Sequence, residues 1–244
     1  LGEEGSKKDK VVHIKNWPEG DRPREMLLAH GPEALSDAAL LAILLRTGRQ
    51  GKDAVALARE MLSELGGFQG LLSASCEDLL NIKGIGQAKI AQILAAMEIV
   101  KRQLRQPLKK PNIVQSPSAL FEYLKVSMGN LNKEEFRLLH LNRAKALIAE
   151  EIVFRGTVDN AFVYPREIVE SALRKKASAL ILAHNHPTGE AEASEEDLQL
   201  TRSLVQACWT VDIPILDHII VGRGGFMSMR RYYPDIFEGE NEVA

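Results

Sequence analysis

Two different periods run along this chain. From Arg24 to about Arg105 apolar residues recur three and four apart: Leu27 and Leu28, then Leu40, Leu41, Ile43, Leu44 and Leu45, then Val55, Leu57, Ala58, Met61 and Leu62. That spacing gathers them on one face of a helix. Gly31-Pro32, Gly48, Gly51, Gly66-Gly67, Gly84 and Gly86 punctuate the run as turns. Ser36 and Ser75 stand where helix N-caps belong. Ahead of it, residues 1–20 read as a flexible lead-in, with Val11 to Trp17 extended and stopped by Pro18. Behind it, Pro107, Lys109, Lys110 and Pro111 make a poor helix or strand interior, so 107–115 is the expected linker. Ser116-Pro117 then reads as an N-cap followed by proline at the first helical position.

Beyond the linker the pattern shortens. Phe136–Leu141, Ala146–Phe154, Ala179–Ala183 and Ile213–Val221 read as strands, and Pro165–Lys175 and Ser194–Cys208 as helices. Ala179–Ala183 is wholly apolar, as a strand buried on both faces should be. The reading is a lead-in 1–20, an all-helical domain 21–106, a linker 107–115 and a mixed domain 116–244. The fold class is α/β in the broad sense, more strictly α+β.

Composition alters this little. With 45% hydrophobic and 26% charged residues the chain is an ordinary globular one, and no apolar run approaches the roughly 20 residues of a membrane span. The first ten residues have no apolar core for a secretory signal. Two cysteines, Cys76 and Cys208, make neither a disulfide framework nor a thiolate cage, so the expected compartment is cytoplasmic, without membrane partners. Net charge is -2; residues 1–110 carry 17 Lys and Arg against 14 Asp and Glu, and residues 111–244 carry 14 against 19. An asymmetry this small does not by itself point to nucleic acid.

The chemistry concentrates at Leu180-Ile-Leu-Ala-His184-Asn-His186-Pro-Thr-Gly189, followed by Ser194-Glu-Glu-Asp197. Residues two apart on an extended chain point to the same side, so His184 and His186 can converge. Pro187 and Gly189 turn the chain, and Asp197 falls in the first turn of the next helix. Two imidazoles and a carboxylate are three zinc ligands, with a fourth position left for water, the composition of a catalytic Zn2+ site. Each piece also has a plain structural reading: a lone His-x-His pair is common, and Ser194-x-x-Asp197 is a capping box that needs no metal. His218, after Asp217 in an apolar strand, reads as a hydrogen-bonded core histidine or as a group supporting the ligands. His13, His30 and His140 carry no spacing signal.

His-x-His, seven residues, Ser, two residues, Asp is the pattern of the JAMM (MPN-plus) metalloproteases and isopeptidases. His184-Asn-His-Pro-Thr-Gly189 resembles its bacterial RadC form, as do Phe154-Arg-Gly-Thr157, Tyr164-Pro-Arg-Glu167 and Leu216-Asp-His-Ile-Ile-Val-Gly222. Thr188 departs from the family's usual serine and Ala193 from its usual proline, both off the ligands. The resemblance implies a deaminase-like α-β-α fold and a glutamate base from a separate strand. Glu150 and Glu151 are the candidates, on opposite faces of their strand, and family-like spacing to Phe154-Arg-Gly156 favours Glu151. It also implies that the Ser194 hydroxyl helps bind an oxyanion. The triplet His184-Asn185-His186 alone does not make an HNH nuclease, and the deaminase pattern of His-x-Glu with Pro-Cys-x-x-Cys is missing.

Leu79-Leu-Asn-Ile82-Lys83-Gly84-Ile85-Gly86-Gln-Ala-Lys89 resembles a helix-hairpin-helix, and the family's N-terminal half is similar to domain two of RuvA. Gly84 and Gly86 permit a tight turn with close backbone approach, and Lys83 and Lys89 add contacts indifferent to base sequence. A plain helix-helix turn with solvated lysines fits the same residues. The earlier segment Gly48-Arg-Gln-Gly51-Lys-Asp-Ala-Val is a weak repeat of it. The expected function is zinc-dependent hydrolysis of peptide or isopeptide bonds in an unknown protein substrate, with DNA a partner through the hairpin. The rival is a DNA repair or recombination accessory protein with a structural or vestigial metal site. A nuclease is disfavoured, because nucleases commonly use carboxylate-rich or paired-metal sites.

Overall fold

The computed structural model describes residues 14–113, 117–156 and 163–238. Contacts divide the chain into two compact units at Glu98/Ile99. The first holds helices α1 (Pro23–His30), α2 (Asp37–Leu45), α3 (Ala54–Leu65), α4 (Gly67–Ser73), α5 (Cys76–Leu80) and most of α6 (Gln87–Arg105). Its core takes Leu41, Leu45, Val55, Leu57, Ala58 and Met61 of the predicted stripe, with Leu79, Ile90 and Ile93 beside them, while Leu28 and Leu44 of that stripe are exposed. Ser36 caps α2 and Ser75 forms a full capping box on α5, as the sequence predicts. Val11–His13 lie outside the described residues. Ile14–Asn16 form a single 3-10 turn instead of an extended stretch.

The two glycine turns behave as a pair. Each joins two helices, α2 to α3 and α5 to α6. The Lys89 ammonium donates to the carbonyls of both Gly48 at 3.0 Å and Gly84 at 3.2 Å. Gly84 has φ +88°, and a Cβ there would stand 2.6–2.7 Å from the Arg49 side chain. Arg49 and Lys52 both pair with Glu60, closing the first turn on α3.

The second unit is a three-layer α-β-α arrangement. Its sheet runs β2 (Leu147–Gly156), β1 (Glu134–Leu141), β3 (Ala179–Asn185), β4 (Ile215–Val221), β5 (Phe226–Ser228) in space. β1 is antiparallel to β2 and β3, and β3 is parallel to β4. A parallel pair needs a long crossover, which α9 (Glu195–Trp209) supplies. Side chains alternate across the central strands. Phe136, Leu138, Leu180 and Leu182 pack in the cluster that includes Ile168 and Ala172 of α8 (Pro165–Arg174) and Leu204 of α9. Leu139, Leu141, Ile181 and Ala183 pack with Leu124 of α7 (Pro117–Met128). A short α10 (Met229–Tyr232), not anticipated from sequence, follows β5.

The described part of the expected linker is not a free tether. Pro107–Lys109 form a 3-10 turn, and Leu108 and Ile113 are buried with α7. The prolines set the turns, and the two apolar residues, Leu108 between them and Ile113 just after, find the core. Ser116, the expected cap of α7, lies outside the described residues. Gly84→Ala is expected to destabilise the protein by about 1–3 kcal/mol, because alanine at positive φ is strained and its methyl meets Arg49. Urea unfolding with an unchanged m-value would show it.

Candidate metal centre

The site is built where a buried strand ends. Every residue of β3 is buried, His184 and Asn185 included. His186 continues the ladder for one more bond, its amide donating to the Val221 carbonyl at 3.0 Å. Gly189 then turns at φ +100° and accepts from the Arg223 amide at 3.1 Å. Gly222 makes that approach possible: a Cβ on it would lie 2.4 Å from the Gly189 carbonyl oxygen. The chain returns at Ser194, the N-cap of α9, which puts Asp197 at the third helical position.

The capping box aims the aspartate. Asp197 Oδ2 accepts from the Ser194 amide at 2.9 Å and from the Ser194 hydroxyl at 2.6 Å. Its Oδ1 lies 3.1 Å from His184 Nε2, and its Oδ2 lies 3.4 Å from His186 Nε2. The two Nε2 atoms are 2.8 Å apart. Ligand atoms of His184, His186 and Asp197 all fall within 4.8 Å of one another. On the other side of its ring, His184 Nδ1 meets His218 Nε2 at 2.8 Å. Phe136 stacks on His184 with 9° between the planes and meets His218 edge-on.

The electrostatics favour a cation. Burial alone would raise the Asp197 carboxyl, but the imidazoles of His184 and His186 and the Ser194 hydroxyl set against it hold it well below the usual carboxylate range. The bond to Asp197 raises His186 above its ordinary value, and the nearby charge of Glu134 adds to it. Two imidazole nitrogens and a carboxylate oxygen, mutually in contact, need a proton or a metal between them. The donor set, nitrogen and oxygen without thiolate, is one that zinc takes.

Residues 114–233 match the RadC-like JAB domain, and residues 14–91 match the UPF0758 N-terminal domain. A UPF0758 protein of Marinobacter nauticus is 46% identical over 88% of this chain and 96% of its own length. One from Stutzerimonas stutzeri is 46% identical over 91% and 99%, and one from Ralstonia pickettii 48% over 88% and 97%. The chain belongs to the RadC family. The fold expected from the RadC resemblance, a helical N-terminal part and a sheet domain with the JAB fold, is the fold observed. No helix among the described residues is long and apolar enough to cross a membrane.

RadC resemblance also pointed to Glu151, and here the structure differs. Glu151 pairs with Leu138, which faces Leu182, two residues short of His184. Its carboxylate accepts from Ser171 of α8 at 2.6 Å and from Arg174 at 3.3 Å, contacts that lower its pKa. Glu150 lies on the other face, held by Tyr123 and Arg137. A carboxylate whose charge does reach His186 is Glu134. It precedes by two the residue paired with His184, on the same face of β1, and it is half-buried. Asn185 fixes the backbone on both sides of it, accepting from the Glu135 amide at 2.9 Å and donating to the Lys133 carbonyl at 3.2 Å. The signal for Glu134 is the β1–β3 register, a long-range pairing that local pattern does not carry. Ser194 takes the capping role, its hydroxyl proton already donated to Asp197.

At the second glycine turn, Lys83, Gly84 and Gly86 are exposed, while the Lys89 ammonium is turned inward onto the two carbonyls, with burial lowering its pKa.

The raised His186 pKa sets a pH dependence. A folded-state pKa above the unfolded value of about 6.5 stabilises the metal-free protein fully below that pH. The contribution is lost as pH rises through the folded value. The stability gap between metal-free wild type and His186→Gln should therefore be widest below about pH 6.5 and shrink towards alkaline pH. Thermal unfolding of both proteins across that range checks it.

Proposed function

We propose that this chain is a zinc-dependent hydrolase of peptide or isopeptide bonds. The observation that carries the reading is the convergence of His184 Nε2, His186 Nε2 and the Asp197 carboxylate at a strand end beside Glu134. His184, His186 and Asp197 would hold the ion. When bound, zinc supplies Lewis acidity, making water a nucleophile near neutral pH and polarising a carbonyl. Glu134 then takes the proton from the attacking water and delivers it to the departing amine, as a carboxylate base and acid. Ser194 keeps Asp197 oriented through the capping box, and Asn185 holds the segment that carries Glu134. Glu151, committed to Ser171 and Arg174, has no part in the chemistry.

Elemental analysis of purified protein is expected to find close to one zinc per chain, lost in His186→Ala and Asp197→Asn. Against a peptide substrate found by library screening, Glu134→Gln should reduce the rate by about 10²–10⁴-fold with zinc retained, and Glu151→Gln should change it little. A folded wild type that takes up no zinc would end the hydrolase reading. Full activity in Glu134→Gln would remove the base.

For the N-terminal unit we propose DNA backbone contact through the second glycine turn. Lys83 is its exposed cation, and a Cβ on Gly86 would meet nothing within 4 Å, which leaves room for a phosphate. Lys89 supports the turn from inside. Lys83→Ala should weaken duplex binding and lower the slope of log affinity against log salt by about 1. An unchanged slope would reject this contact.

A further inference from the structure

His218 is completely buried in β4, across from Leu182, and among the described residues its two ring nitrogens meet Thr201 and His184 rather than a carboxylate. Its Nδ1 lies 2.7 Å from Thr201 Oγ1 on α9, and its Nε2 lies 2.8 Å from His184 Nδ1. The Thr201 hydroxyl also lies 2.6 Å from the backbone carbonyl of Asp197. The Met229 sulfur, at 3.5 Å, is a poorer acceptor.

Hydrogen-bond chemistry allows one arrangement of protons along these contacts. A carbonyl oxygen only accepts, so the hydroxyl proton of Thr201 points to Asp197. A contact of 2.6 Å between two oxygens would be repulsive without that proton. The hydroxyl has one proton, so towards His218 it presents a lone pair, and His218 Nδ1 must be the donor. In its neutral form an imidazole carries a single proton. His218 Nε2 is therefore an acceptor, and His184 Nδ1 donates to it. That leaves the lone pair of His184 on Nε2, the nitrogen that faces His186 and Asp197.

We infer that Thr201 and His218 are positioning residues that fix the metal-binding tautomer of His184, through a proton relay ending on the Asp197 carbonyl. Asp197 thus enters the site twice, its carboxylate as a ligand and its carbonyl as the anchor of another ligand's tautomer. If the opposite tautomer formed, Nε2 of His184 would carry a proton and compete with the ion. The relay rests on the zinc reading for its purpose, but not for its existence.

Long-range proton–nitrogen spectra of the full chain with 15N-labelled histidine test it. They are recorded without metal, at a pH where the imidazoles are neutral. Both His184 and His218 should carry their proton on Nδ1. Thr201→Val should release His218 to the other tautomer and weaken zinc binding, in competition with a chromophoric chelator, by about 10–100-fold. Thr201→Ser, which keeps the hydroxyl, should bind zinc close to wild type. A proton on His218 Nε2 in the wild type overturns the relay. So does a folded Thr201→Val protein with wild-type zinc affinity, or a Thr201→Ser protein that has lost it. If Thr201→Val does not fold, the wild-type spectrum and Thr201→Ser decide. If the wild type binds no zinc yet shows both Nδ1 protons, the hydrolase reading fails and the relay stands.

Discussion

The constraint on which the second unit depends is the burial of β3. It is hydrogen-bonded along both edges and covered on both faces, so a polar side chain on it must find a protein partner. Ala179 to Ala183 avoid the problem by being apolar. His184 and Asn185, each 1% exposed, do not. Their partners organise the site. His184 is met by His218 and Asp197, and Asn185 ties down the segment of β1 that holds Glu134. One strand end thus sets the places of the candidate ligands, the candidate base and the relay behind them.

Helix α9 contributes through the ordinary physics of helix starts. The first amides of a helix need acceptors, and the reciprocal Ser194–Asp197 box supplies them. The same two bonds fix the Asp197 carboxylate, leaving Oδ1 facing His184. Four residues on, Thr201 bonds back to the Asp197 carbonyl and reaches His218. Capping and ligand placement are thus one structure, and removing the cap would disturb both helix and site.

Much of this was legible in the sequence because it is local. The helical stripe, the serine caps, the buried run of β3 and the His184–His186–Asp197 spacing all lie within windows of about a dozen residues. What was not legible depends on distant segments meeting. Glu134 acquires its place from the pairing of Phe136 with His184, and Glu151 loses its by lying opposite Leu138 on β2, one strand further from β3, with its carboxylate on Ser171. Pattern alone left His218 open between a core residue and a supporting one, and the contacts with His184 and Thr201 make it both. Lys89 read as a surface cation because a lysine in the first turn of a helix usually is one. Its inward turn depends on the first glycine turn lying close by. The proline-lysine segment read as a linker because Leu108 and Ile113 are too few to announce a core of their own.

The central claim is that two imidazoles and a carboxylate of this chain hold zinc in an open site. Zinc K-edge X-ray absorption of the metal-loaded full-length protein tests it most directly. The account predicts only nitrogen and oxygen neighbours at about 2.0–2.2 Å, with the multiple-scattering signature of two imidazoles. Sulfur scattering at about 2.3 Å, or a shell without imidazole, would contradict it.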